Sequence, residues 1–139
     1  MAAVNHLAYL LNRANRRLRA DAGRPASLPD LNPAQARILD VIPEAGCRIV
    51  DLSGELRVSK QGLGQLVGQL AAGGFVVVEH DAGDRRAKLV RRTPAGDEVV
   101  RAIRTLLEDV ESRWRAEIGP DRYAVFRSVL ADLVAGGED

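Results

Sequence analysis

The chain has 139 residues, enough for one domain with a sizeable core and too few for two independent ones unless a second copy completes them. With 46% hydrophobic and 28% charged residues it has the composition of a folded protein, and no apolar run approaches the roughly 18 residues needed to span a bilayer. A net charge of +1 does not announce a nucleic-acid partner, and the single cysteine, Cys47, excludes an internal disulfide framework and a thiolate metal site.

The chain opens with "MAAVNHLAYLLNRANRRLRA", which places its arginines after its apolar residues, the reverse of a secretory signal, and predicts a cytoplasmic protein. Leu7, Leu11, Ala14 and Leu18 recur at spacings of three and four, which predicts a helix ending near "DAGRP". In "SLPDLNPAQARILDVIPEAG", Asn32 is placed to cap a second helix, with Pro33 at its first position, Gln35 completing a capping box, and Ile38, Leu39 and Ile42 forming the buried face. Leu52 and Leu56 belong to a short third helix. "RVS" makes a turn, and Ser59 caps a fourth helix whose Leu63, Leu66, Val67 and Leu70 form an apolar stripe. Two short helices joined by so brief a turn make a helix-turn-helix. The outward face of its second helix shows Lys60, Gln61, Gly64, Gln65, Gly68 and Gln69: polar, amide-rich and thinned by glycine, which weakens a helix but lets its backbone approach a partner.

"FVVVEH" reads as a strand, "DAGD" as a turn and "RAKLVRR" as a returning strand, with Ala87, Leu89 and Arg91 on one face and Lys88, Val90 and Arg92 on the other. Arg85 and Arg86 fall at the hairpin tip. From "TPAGDEVV" a long helix begins, capped by Thr93, with Val99, Ile103, Leu106, Val110 and Trp114 along one side. "GPD" breaks it, and Pro120 or Asp121 starts a last helix whose apolar residues are Val125, Phe126, Val129, Leu130 and Leu133. Terminal helices of this length have too little of their own chain to pack against, so pairing with a second copy is predicted.

Charge is local. Residues 1–24 hold five Arg against one Asp and residues 81–92 hold five Arg or Lys against two Asp, whereas residues 93–139 hold six Arg against ten acids. Such patches act within a Debye length of about 8–10 Å even when the total is small, although arginine-rich proteins also scatter clusters of this kind without function.

A helix-turn-helix followed at once by a basic hairpin is a winged helix. "NPAQARILDVI", "DLSGELRVSKQGLGQLVGQLAAGGFV" and above all "DAGDRRAKLVRRTPAG" resemble the MarR family of transcriptional regulators over residues 4 to 135. The resemblance implies a mainly α fold with a small β-hairpin wing, divided into an N-terminal dimerisation helix and linker (1–30), a DNA-binding winged helix-turn-helix (31–92), C-terminal dimerisation helices (93–135) and a flexible tail (136–139). It also implies a homodimeric repressor on a roughly palindromic operator, released by a small-molecule effector or an oxidant. Carried over by position, Ser59, Lys60, Gln61, Gly64 and Gln65 meet the major groove, Arg86 enters the minor groove, and Asp84 shapes the wing. Arg85 is expected at adjacent phosphates, with Lys88 and Arg91 as flanking contacts. The chemistry agrees: glutamine suits bidentate contact with adenine, and arginine on a thin hairpin suits a narrow minor groove. This chain departs from many relatives at His80, where they have arginine, and at Gly64 and Gln65, where they have bulkier or basic residues. By the same resemblance a ligand cleft would draw on Leu11, Ile38, Leu39 and Trp114, with apolar or phenolic compounds as candidates.

Blander readings compete at several positions. His6 and His80 have no metal-ligand spacing, Ser53 and Ser59 no evident base, and no phosphate loop follows a strand, so neither catalysis nor a cofactor is expected. His80 fits a strand end near phosphate better than a proton switch. Cys47 fits an incidental residue better than a peroxide sensor, since the reactive cysteine of sensing relatives lies in the N-terminal helical region. The rival to DNA reading is a winged helix used as a protein-interaction module.

Overall fold

The computed structural model describes residues 5–24 and 28–137; parts of the expected N-terminal segment (1–4, 25–27) and of the expected tail (138–139) lie outside the described residues. In chain order the elements are α1 (Leu7–Ala22), α2 (Pro33–Val41), β1 (Cys47–Arg48), α3 (Ile49–Leu56), α4 (Lys60–Ala72), β2 (Val76–His80), β3 (Lys88–Arg92), α5 (Pro94–Ile118) and α6 (Pro120–Ala135). The chain divides into two compact units, Pro25–Ile103 and Met1–Arg24 with Arg104–Asp139, the division falling inside α5.

In the unit Pro25–Ile103 the local chemistry forms the expected helices. The Asn32 side chain accepts from the Gln35 N–H at 2.8 Å while the Gln35 side chain accepts from the Asn32 N–H at 2.9 Å, so two otherwise orphaned donors at the start of α2 are satisfied. Ile38, Leu39 and Ile42 pack with Leu52, Leu63 and Leu70 into a core that excludes water almost completely. The sheet has three antiparallel strands in the order β1-β3-β2, with Val78 opposite Val90 and His80 opposite Lys88. Alternation along β3 buries Val90 and directs Arg91 to solvent. The two-residue β1, which pairs Cys47 with Val90, adds an edge strand to the hairpin expected from sequence.

Two glycines are required here. Gly46 has φ +84°, and a Cβ there would meet Arg91 Cγ at 2.8 Å. A Cβ on Gly96 would lie 2.2 Å from the Phe75 carbonyl oxygen, so only glycine lets the first turn of α5 pass β2. Thr93 links the same segments, its hydroxyl donating to the Gly74 carbonyl at 2.6 Å and accepting from the Gly96 N–H at 3.2 Å.

In the other unit α1, the C-terminal part of α5 and α6 are tied by polar contacts. Arg17 pairs with Glu117, and Asp21 accepts from Trp114 Nε1 at 2.8 Å. Glu111 accepts from the Tyr123 hydroxyl at 2.7 Å and pairs with Arg127. Apolar cover is thin: no residue of α1 is buried, Tyr123 alone is buried on α6, and Leu7, Leu133 and Val134 are 71%, 68% and 65% exposed. An apolar cavity of about 700 Å³ lies among the three helices, with Leu11, Trp114, Phe126 and Leu130 on its wall.

Candidate nucleic-acid interface

The polar face of α4 is set by its buried one. Leu63, Val67 and Leu70, spaced by four and three, are held in the core, which turns Lys60, Gln61, Gly64, Gln65 and Gly68 to solvent. Ser59 starts the helix by accepting from the Gly62 N–H at 3.1 Å, and the preceding turn is fixed by the Ser53 hydroxyl donating to the Val58 carbonyl at 2.8 Å. Gln69 is engaged within the protein, accepting from Gln35 Nε2 at 2.9 Å. Gln61 and Gln65 keep their amides in solvent. A Cβ added at Gly64 or Gly68 would meet no protein atom within 4 Å.

The wing is braced at its base and open at its tip. Asp81 accepts from the Gly83 N–H at 3.0 Å and from Arg48 at 2.9 and 2.6 Å, and these bonds, the backbone one foremost, hold its carboxyl below the ordinary aspartate range. Asp84 accepts from the Arg86 N–H at 3.0 Å, and its carbonyl accepts from the Ala87 N–H at 3.0 Å, closing a tight turn. His80 Nδ1–H donates to the Arg85 carbonyl at 3.0 Å, so this histidine latches the tip against its strand. Arg85, Arg86 and Lys88 are exposed.

The remaining basic residues of this stretch are occupied by the protein. Arg91 donates to Glu79 at 2.7 Å. Arg92, only 11% exposed, donates to the carbonyls of Leu39 and Ile42 at 2.7 and 2.6 Å and pairs with Asp97 at 2.8 Å. It thus satisfies carbonyls at the C-terminus of α2, and its charge, part of the basic cluster in sequence, faces inward.

Two residues expected in a ligand cleft do not line the cavity. Leu11 and Trp114 do, but Ile38 and Leu39 are 1% and 0% exposed in the core of Pro25–Ile103, because both face the stripe of α4. Cys47 is half-buried on β1; burial first, and the charge of Asp51 second, push its thiol above the ordinary range, leaving little of the thiolate that peroxide sensing needs. Among the described residues no group of three or more His, Cys, Asp or Glu could hold a metal ion, and no helix is long and apolar enough to cross a membrane.

Sequence reasoning missed the Arg48–Asp81 brace and the role of His6, whose ring nitrogen caps α1 by accepting from the Tyr9 N–H at 3.1 Å. A polar residue immediately before an apolar-periodic run was the available signal for His6.

Residues 30–87, the span from α2 to the wing tip, match the model of the MarR family. No curated protein sequence matches the chain. Among solved structures, one of MarR is 25% identical with a TM-score of 0.81, covering 98% of this chain and 93% of that one. The reduced form of MarR from E. coli is 22% identical with a TM-score of 0.78, covering 95% and 98%. BpsR of Bordetella bronchiseptica, whose DNA binding is regulated by 6-hydroxynicotinic acid, is 22% identical with a TM-score of 0.77, covering 100% and 99%. The family match spans the helix-turn-helix and wing, and the solved MarR structures share this chain's fold from end to end, so the chain is similar to the MarR family of winged helix-turn-helix regulators.

Proposed function

We propose that the protein is a homodimeric repressor that reads a roughly palindromic operator, its half-sites one helical turn or a multiple apart. Ser59, Lys60, Gln61, Gly64 and Gln65 carry major-groove recognition, Arg86 the minor-groove contact, Arg85 adjacent phosphates, and Lys88 and Arg91 the flanks, with Asp84 shaping the tip. The observation that carries this reading is the contrast within one unit. The side chains of Gln61, Gln65, Arg85 and Arg86 are exposed without a hydrogen-bond or ion-pair partner among the described residues, while those of their neighbours Gln69, Arg48 and Arg92 are bonded into the fold. Donors left in water on the face of α4 and at the wing tip are available to base edges and phosphates. The dimer rests on the exposed apolar faces of α1 and α6, which a second copy would cover. An apolar or phenolic effector in the cavity beside Leu11 and Trp114 is supported by its volume, which falls within the range of about 300–1,000 Å³ that small-molecule pockets occupy. BpsR offers a precedent for control by a small aromatic acid.

Fluorescence anisotropy with duplexes from the DNA beside its own gene, against scrambled duplexes, tests this. Gln61→Ala and Gln65→Ala are expected to cost more on the operator than on scrambled DNA, by about 1–3 kcal/mol per lost base contact. Arg86→Ala should weaken both, with an added loss where the site has a narrow A·T-rich minor groove. A folded dimer that binds none of these duplexes would instead be an interaction module.

A further inference from the structure

Arg57 stands apart from every other residue described. It has φ +52° and ψ +42°, the only positive φ outside glycine among the described residues, and it ends α3 at the turn into α4. The left-handed region crowds a Cβ, so glycine, or asparagine with its short polar side chain, is what fold stability alone would select there. Nothing in the fold repays the arginine. Its side chain is exposed, and among the described residues no carboxylate or carbonyl holds its guanidinium. The backbone on either side is anchored, by Leu56 in the core and by Val58, which packs against that core and accepts from Ser53. The strained conformation is therefore enforced by its neighbours, and it holds the Arg57 side chain outward two residues before the cap of α4.

We propose that Arg57 is a DNA-binding residue, its guanidinium taking a backbone phosphodiester at the edge of the groove that α4 enters. The contact rests on the reading of α4 as the recognition helix. A helix with its side chains measures about 10–12 Å across and fills a major groove about 12 Å wide, so the turn that delivers it runs beside the phosphate wall. Arginine at that turn meets phosphate with a planar, doubly donating head. Strain at a residue with no internal partner is the pattern expected where a conformation serves a ligand.

Arg57→Gly and Arg57→Asn test the assignment, because stability and binding should move in opposite directions. Both variants should melt at a higher temperature than the native chain, since each relieves the left-handed strain. Both should bind operator and scrambled duplex more weakly by about eightfold per subunit at 0.1 M salt, with the salt slope reduced by about 1 per subunit, or about 2 in a two-fold dimer. Arg57→Lys, which keeps the charge and the strain, should restore most of the slope without the gain in melting temperature. Unchanged affinity and slope in the Gly and Asn variants, alongside an Arg86→Ala variant that does weaken binding, would overturn the role of Arg57 and leave the DNA interface standing. A native chain that binds no duplex would overturn both.

Discussion

If α4 reads DNA as proposed, its glycines set fold stability against that reading, and Gly64→Ala measures the conflict. Alanine is favoured over glycine inside a helix by about 0.8–1.0 kcal/mol, partly through the unfolded chain that glycine loosens. At Gly64 that gain should appear undiminished, because the added methyl meets no protein atom within 4 Å. Gly68 offers the same open space, whereas a Cβ on Gly62 would sit 3.1 Å from the Ser59 oxygen that caps the helix, so Gly62→Ala should gain less. With an unfolding entropy of about 2.1 cal/mol/K per residue, 1 kcal/mol corresponds to a rise of about 3 °C for a chain of 139 residues. Calorimetry at fixed protein concentration reads this directly. On the proposed operator the same methyl would project from the face that carries Gln61 and Gln65 and would hold the backbone off the base edges. The loss should approach that of one base contact, about 1–3 kcal/mol, or roughly five- to 150-fold in affinity. Gly54→Ala on α3, where a Cβ also meets nothing, controls for stability alone. If Gly64→Ala stabilised the fold and left operator affinity intact, close approach of this face to DNA would be refuted.

Arg92→Met should lower stability in urea by about 2–4 kcal/mol, because two carbonyls at the end of α2 and the Asp97 carboxylate lose a largely buried cationic partner. Leu133→Arg, which charges an apolar position that is 68% exposed, should shift light scattering from about twice 15.0 kDa toward the single chain or abolish folding; an intact dimer would exclude this face from the interface. Glu111 is held below the ordinary glutamate range first by the Tyr123 hydroxyl and then by Arg127, against the opposing pull of burial. A carboxyl whose folded pKa is depressed stabilises the fold above its unfolded value, near 4.3, and loses that contribution as pH falls through the folded value. Acid melts should therefore show a shallower slope below about pH 5 in Glu111→Gln than in the native chain; identical slopes would remove Glu111 from the linkage.

The elements legible in sequence were those written by near neighbours. The Asn32–Gln35 capping box, the Ser59 cap and the Leu63–Val67–Leu70 stripe each depend on residues within one or two helical turns, and each appears in the structure as read. β1 was not legible, because two residues show no alternation and their partners, Leu89 and Val90, lie some forty positions downstream. The last helix was legible as apolar and as short of chain to pack against, and Val125, Val129 and Leu133 on it are exposed. Ile38 and Leu39 show a second limit: adjacent apolar residues on one helix suit a cleft wall and a core equally well, and the facing stripe of α4 decides for the core.

Charge shows most clearly what three dimensions add. In "DRRAKLVRR" five basic residues look equivalent, yet the strand's alternation and the position of α2 divide them. Arg92 is turned inward to helix carbonyls, Arg91 is matched to Glu79, and Arg85, Arg86 and Lys88 remain exposed. The brace from Arg48 to Asp81 uses a further arginine from outside the stretch to fix the base from which that tip projects. A net charge of +1 is therefore compatible with DNA binding because the count is the wrong quantity. Phosphate responds to cations that are both unpaired and rigidly presented, since a paired arginine must first give up its protein partner, and a loosely tethered one must first be ordered. By that criterion the exposed Arg85 and Arg86 at the wing tip and Arg57 at the turn before α4 are the proposed candidates for phosphate, although sequence places Arg57 among neighbours of no particular charge.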